Sequence, residues 1–291
     1  MVVFSNHRGD QIEPPMYRHP DQIWTFFSRE SPLIFPREKT DLSLWNRRFN
    51  WTMTYRRDSD IPVFYGGIKR KPDATGNDVY VHFYELFVSL FNACIYIIIT
   101  KVLESNFKSK TGMAAAVMSA WYRPSKRLEY IQELQQVGID VDIYGKCGKP
   151  CPTNSSSPAV CYKELSKTYK FFLAFENSFC KDYATEKVFA ALKQPWIPVV
   201  RGGADYSLIL PEKSVVDASS LSPAQLSSIL HEIASNETLY RSYFEWKKMF
   251  SSEGSEGWVC DACQKLRNVT ARKTYDDIYD WWVVKSNCST N

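Results

Sequence analysis

The chain of 291 residues is 44% hydrophobic and 15% aromatic, which excludes a disordered protein and suggests a large core in two domains. A net charge of +4 without a lysine–arginine block gives only a weak nucleic-acid footprint and equally suits an anionic small ligand. In chain order, "DQIWTFFSRESP" offers a short strand, Trp24 to Phe27, running into Arg29-Glu30-Ser31-Pro32. "FNWTMTYRRDSDIPVFYGG" alternates apolar positions and then carries the charged loop Arg56 to Asp60, which reads as an ion-paired structural turn. The apolar run Leu86 to Thr100 is 15 residues without a charge, short of the ~20 that a spanning helix needs, so it reads as a buried helix or strand. The boundary between halves falls near Lys108 to Gly112, dividing the chain into 1–110 and 111–291.

The second half alternates strand and helix. Gly112 to Trp121 reads as a buried strand, and Ser125 can cap a helix carrying Leu128, Ile131, Leu134 and Val137 on one side. "GIDVDIYG" is a second strand, ending at Tyr144-Gly145, and "YKFFLAF" a third. A crossover helix follows Lys181, with Asp182 as its cap and Tyr183 as its first residue. "WIPVV" is a fourth strand, stopped by Gly202-Gly203. "LSPAQLSSILHEIA" is a helix with Ser222 as cap and Pro223 at the first position. Such alternation predicts an α/β fold with a doubly wound parallel sheet, and such sheets bind ligands beyond the carboxyl ends of their strands. Arg127, Tyr144, Glu176-Asn177-Ser178 and Arg201 all fall there. No dinucleotide or P-loop glycine motif is present.

Eight cysteines and five sequons, at Asn50, Asn154, Asn236, Asn268 and Asn287, favour the secretory pathway, where disulfides persist. Cys260 and Cys263 have the spacing of half a zinc site or a redox pair, but no second pair matches, so disulfide partners are the preferred reading. Cys147, Cys151 and Cys161, around a Pro/Ser-rich loop, read the same way, and connectivity stays open. No signal peptide is visible at the start, which implies an N-terminal anchor lying outside this sequence.

Lys187 poses the chemical question. In a helix that starts at Tyr183, Glu186 and Lys187 lie near the positive end of the dipole, where a cation costs ~0.3–1 kcal/mol unless an anion is nearby. A phosphate at that helix start would use both the lysine and the free amides. The competing reading is an exposed lysine paired with a carboxylate. Asn177 and Ser178 can shape a turn without any ligand, and Arg127 alone reads as a solvated helix residue.

"FENSFCKDYATEKVFAAL" followed by "WIPVVRGGADYSLILP" resembles the donor-site signature of the α1,3-fucosyltransferases. "NWTMTYRRDSDI" and "SRESP" are similar to that family's acceptor-side segments, and "VDIYGKCGKP", "YFEWKKMF" and "CDACQKL" follow in the same order. The opening "HRGDQIEPPMYRHP" resembles the branch that modifies the N-glycan core. The resemblance implies a GT-B architecture of two facing Rossmann-like domains, with GDP-fucose as donor in the C-terminal one. Transfer would be inverting, with no required cofactor or metal, although Mn2+ stimulation is compatible with it. It further implies that Arg127 and Lys187 neutralise the pyrophosphate. Asn177, Ser178, Tyr183 and Glu186 would line the nucleotide-sugar pocket, with Tyr144 near the nucleotide. Cys180, which lies within the donor signature, joins the disulfide candidates. Glu30 matches the general base on the acceptor hydroxyl, whereas taken alone it reads as a loop carboxylate capping Ser31 or pairing Arg29. The partners implied are GDP-fucose and a glycoprotein N-glycan, with no nucleic acid, and the place is the Golgi lumen at the cisterna membrane. Two departures stand out: Ser119-Ala120-Trp121 replaces the family's Ser-Asn-Cys, and the apolar segment 79–103 has no counterpart. A Lewis-type enzyme acting on N-acetyllactosamine, or a silent nucleotide-sugar-binding variant, are the alternatives.

Overall fold

A computed structural model of the chain describes residues 1–5, 13–34, 41–71, 107–120, 124–153, 157–255, 257–269 and 273–290. The apolar segment 79–103, Trp121 and the sequon at Asn154 lie outside the described residues.

The second half is built on five parallel strands: β5 (Gly112–Val117), β6 (Val141–Tyr144), β7 (Tyr169–Phe175), β8 (Ile197–Arg201) and β9 (Val216–Asp217). Their order across the sheet is β6-β5-β7-β8-β9. The strand alternation explains the two layers. Phe171, Leu173 and Phe175 face one side with Ala114 and Ala116, while Phe172, Ala174 and Ala115 face the other. On the first side pack α1 (Arg127–Gln136) and α4 (Pro223–Ser235) through Ile131, Leu134, Leu226 and Leu230, all buried. On the second pack α2 (Pro158–Leu165) and α3 (Glu186–Leu192) through Tyr162, Leu165, Val188 and Leu192. Helix α4 starts as its sequence dictates, with a capping box between Ser222 and Gln225 and Pro223 in the first turn. A short helix, α5 (Glu237–Ser242), follows it. Because the chain steps from β5 out to β6 and then back to β7, the sheet changes direction between β5 and β7. A crevice opens there beyond the carboxyl ends of the strands.

The first half contributes three parallel strands, β1 (Val2–Ser5), β2 (Trp24–Ser28) and β3 (Trp51–Thr54), with β2 in the middle. Trp24, Phe26, Trp45, Phe49 and Tyr55 form an aromatic core on one face, closed by Ile278, Trp281 and Trp282 from the end of the chain. The other face buries Ile23, Trp51 and Met53 against Ala262 of α6 (Trp258–Arg267). An antiparallel pair, β4 (Gly66–Arg70) with β10 (Phe250–Gly254), ties the halves together. The Arg56–Asp60 loop is structural, as its charges suggest. Arg56 is buried, pairs with Asp58, stacks over Trp281 at 4.3 Å and donates to the Trp281 carbonyl.

Several expectations are corrected. The crossover helix starts at Glu186 with Thr185 as its cap residue, because Asp182 takes a left-handed backbone (φ 63°) and turns the chain. The Asp182 carboxylate accepts the Arg57 N–H at 3.2 Å instead of capping. Ser125 does not cap α1; Lys126 occupies that position, and Ser125 Oγ donates to the Glu176 carbonyl at 2.7 Å. The strand from Gly112 ends at Val117. Pro158, the last residue of the Pro/Ser-rich stretch, begins the first turn of α2. Disulfides join Cys151 to Cys161 and Cys180 to Cys288. Cys147, Cys260 and Cys263 are free thiols: Cys147 is enclosed in the core, and the other two point to solvent from α6. Asn50 is no glycan acceptor, since it is 3% exposed, its amide nitrogen donates to the Lys273 carbonyl and its oxygen accepts the Trp24 N–H. Asn236, Asn268 and Asn287 are exposed.

Candidate active site

The crevice at the β5/β7 switch is a cleft of about 810 Å³. Its walls include Val117 at the end of β5, Met118 and Ser119 just beyond it, Gly145 and Lys146 after β6, and Asn177 after β7. Arg127 of α1, Glu186 and Lys187 of α3, and Glu30 from the first half complete the polar lining. Four side chains separated by up to 157 positions in sequence thus converge on one space: Glu30, Arg127, Asn177 and Lys187.

Each is held by its local structure. Arg127 opens α1 and is 4% exposed, with Nη1 donating to the Phe175 carbonyl at 3.2 Å; it is not a solvated helix residue. Asn177 follows the end of β7, and its carbonyl accepts the Ser125 N–H at 3.2 Å. Lys187 is the second residue of α3, and Nζ donates to Glu176 Oε2 at 3.1 Å and Thr185 Oγ1 at 2.7 Å. Its pairing with a carboxylate was one of the two readings of the sequence, but its side chain is only 15% exposed. Glu176 is fully buried and also accepts the Thr185 N–H at 2.7 Å, so that amide at the start of α3 is already satisfied. Glu186 projects beside the lysine at 3.9 Å with its side chain 63% exposed.

Glu30 sits in the loop after β2. Its Oε2 accepts a hydrogen bond from Tyr183 Oη at 2.9 Å, and it pairs with neither Ser31 nor Arg29. Arg29 stacks over Tyr65 at 4.1 Å, and Tyr65 Oη donates to the Arg29 carbonyl at 2.7 Å. Tyr183 is fully buried; burial, with Glu176 and Glu30 adding to it, pushes its phenol well above the usual range, so the hydroxyl keeps its proton.

Three expected residues lie outside the lining. Tyr183 is enclosed behind Glu30. Ser178 is fully buried, with its hydroxyl bonded to Ser31 Oγ at 2.5 Å across the two halves. Tyr144 turns its hydroxyl to Tyr169 Oη at 2.7 Å. The residue after Tyr144 approaches the cleft in its place. Gly145 has φ 91°, and a Cβ there would lie 2.6 Å from the Met118 carbonyl oxygen, so only glycine lets the β6 loop close on β5. Lys146, an exposed cation on the cleft wall, escaped the sequence reading, although its place just past a strand end was a usable signal. Among the described residues no three His, Cys, Asp or Glu side chains cluster as metal ligands do, and no helix is long and apolar enough to cross a membrane.

The profile of glycosyltransferase family 10 (fucosyltransferase), C-terminal part, matches residues 107–281, and a fucosyltransferase N-terminal profile matches residues 1–66. The interval between the two matches includes the apolar segment 79–103. The chain is 35% identical to alpha-(1,3)-fucosyltransferase C of Drosophila melanogaster, over 92% of this chain and 61% of that protein. It is 34% identical to glycoprotein 3-alpha-L-fucosyltransferase A of the same species, over 83% of this chain and 44% of that one. A 3-galactosyl-N-acetylglucosaminide 4-alpha-L-fucosyltransferase of Bos taurus is 33% identical, over 95% of this chain and 68% of its own length. The chain therefore spans only part of these relatives. Among solved structures, an α1,3-fucosyltransferase with GDP-fucose superposes with a TM-score of 0.53 at 16% identity, covering 87% of this chain and 78% of that one. An α1,3-fucosyltransferase with GDP gives 0.52 at 17% identity, covering 90% of this chain and 82% of that one. At that identity the likeness is one of fold, the GT-B type expected from the sequence.

Proposed function

Since the chain belongs to glycosyltransferase family 10, the fucosyltransferases, we propose that it transfers L-fucose from GDP-fucose in α1,3 linkage to an N-acetylglucosamine of a glycoprotein glycan, the N-glycan core in particular. One observation carries the reading: two cations, a polar turn and a carboxylate from the opposite half share a single cleft at the sheet's switch point. The acceptor oxygen bonds to the fucosyl C1, its proton passes to Glu30, and the C1–O bond to the diphosphate breaks, the electron pair leaving with GDP. Negative charge gathers on the diphosphate as that bond lengthens, so Arg127 and Lys187 stabilise the transition state more than the ground state. The donor half is residues 111–291 and the acceptor half 1–110, with the chain's end returning to pack on the latter.

The core acceptor is supported by the opening segment and by the likeness to glycoprotein 3-alpha-L-fucosyltransferase A. Likeness to a 4-galactosyl-N-acetylglucosaminide 3-alpha-L-fucosyltransferase of Homo sapiens, 31% identical over 92% of this chain and 64% of that one, favours antennal N-acetyllactosamine as the second reading. Two disulfides and exposed sequons support a lumenal, Golgi setting, reached in this reading through a preceding membrane anchor. GDP-fucose and defined N-glycans, with mass spectrometry locating the fucose, separate core from antenna; GDP binding without transfer would reveal a silent variant. Glu30→Gln is expected to lower turnover by ~10²–10⁴-fold while GDP binding persists. Lys187→Ala is expected to weaken GDP-fucose binding, and unchanged affinity in a calorimetric titration would refute its role.

A further inference from the structure

We infer that Tyr183 is a positioning residue for Glu30, setting the carboxylate from the donor half, rather than a wall of the sugar-nucleotide pocket. The inference rests on the reading of Glu30 as general base. The phenol donates to Glu30 Oε2 at 2.9 Å and so leaves the second oxygen for an acceptor hydroxyl. The ring cannot swing toward the cleft. It is fully buried, edge-on to Tyr55 at 4.8 Å and to Tyr65 at 6.4 Å. Its backbone N–H is bonded to the Cys180 carbonyl at 3.1 Å, and Cys180 is bridged to Cys288. Tyr65, which confines the ring, also holds the Arg29 carbonyl, one residue before Glu30. Ser178, from the same loop, bonds Ser31, one residue after it. The base is therefore clasped on three consecutive residues, and two of the three clasps come from the segment between β7 and α3. Donor binding and base placement are then two duties of one loop, Glu176 to Lys187.

The donated hydrogen bond fixes which carboxylate oxygen is left for the acceptor, and its loss frees Glu30 to rotate. Loss of a fixed orientation lowers the chemical step itself. Tyr183→Phe keeps the ring and removes only the hydroxyl. In transfer assays with GDP-fucose and a defined N-glycan, its kcat is expected to fall about tenfold or more, with KM for GDP-fucose within about twofold. GDP titration by calorimetry verifies that the variant is folded. In a Glu30→Gln background, Tyr183→Phe is expected to cost nothing further. A raised KM for GDP-fucose with an unchanged kcat would overturn the inference and return Tyr183 to the donor pocket. Losses that multiply in the double variant would overturn it as well. Full turnover in Glu30→Gln alone would instead refute the base assignment, a result distinct from either.

Discussion

Glu176 has no exposed surface, yet it receives Thr185 and Lys187 together, so the lysine enters the cleft with its charge already partnered. Such a pair fixes position more than it adds net charge, so in the proposed reaction the diphosphate would draw on Arg127 and Lys146 for the remainder. The sequence made Lys187 conspicuous by its place at a helix start, and there it lies, second in α3. The carboxylate that steadies it is eleven residues earlier, in a turn whose geometry no local pattern specifies. Glu30 was legible only through its likeness to a family segment, because its partner lies across the chain. Elsewhere a buried lysine gives the fold a pH dependence. Lys110 is 2% exposed and donates to the Ser166 and Tyr169 carbonyls. Burial, with Lys170 and Lys247 adding to it, brings its ammonium down to about 7. An unfolded chain keeps that proton to about pH 10. Between those values the unfolded state holds more protons, so stability rises with pH; below about 7 the full cost of burying the charge applies. Thermal unfolding midpoints are expected to climb from pH 7 to 9, and Lys110→Met to flatten part of that climb. Lys247, lowered by burial to about 8, accounts for a remainder.

Among the elements, those with a periodic or continuous apolar pattern were legible: β6, β7, β8, α1 and α4 form where alternation, apolar runs and helical spacing put them, and of the two helices only α4 keeps its expected cap. The start of α3 was not, since an aspartate before a helical pattern signals a cap only if its backbone is extended, and Asp182 is not. Cys288 likewise gave no sign that it would meet Cys180, because a bridge over 108 residues is set by the tertiary path. The loops after β7 and β8 meet closely at Gly203. A Cβ on Gly203 would lie 2.5 Å from both N and O of Cys180, backbone atoms that cannot yield. Gly203→Ala is expected to destabilise the protein by about 1–3 kcal/mol, read as a lower urea midpoint, and to weaken GDP binding by displacing the β7 loop.

At the scale of the molecule, the chain's end does not stay with the sheet that precedes it. A π-helical turn, Asp280–Val284, inserts Trp282 between the aromatic core of the first half and the loop carrying Tyr183, with Phe26 and Tyr55 edge-on at 5.4 and 5.5 Å. No periodicity in "YDDIYDWWVV" announces this, yet side chains 225 positions along the chain complete the first half's core. Trp282→Ala is expected to cost about 3–5 kcal/mol, and differential scanning calorimetry should show the loss in the main transition.

The Cys180–Cys288 bridge closes within three residues of both Asn177 and Tyr183. A bacterial cytoplasm that keeps thiols reduced would therefore yield soluble protein whose sheets are sound and whose loop between β7 and α3 is untethered. Yield and specific activity should part company in such a host, and mild air oxidation after purification should restore the second while leaving the first as it was.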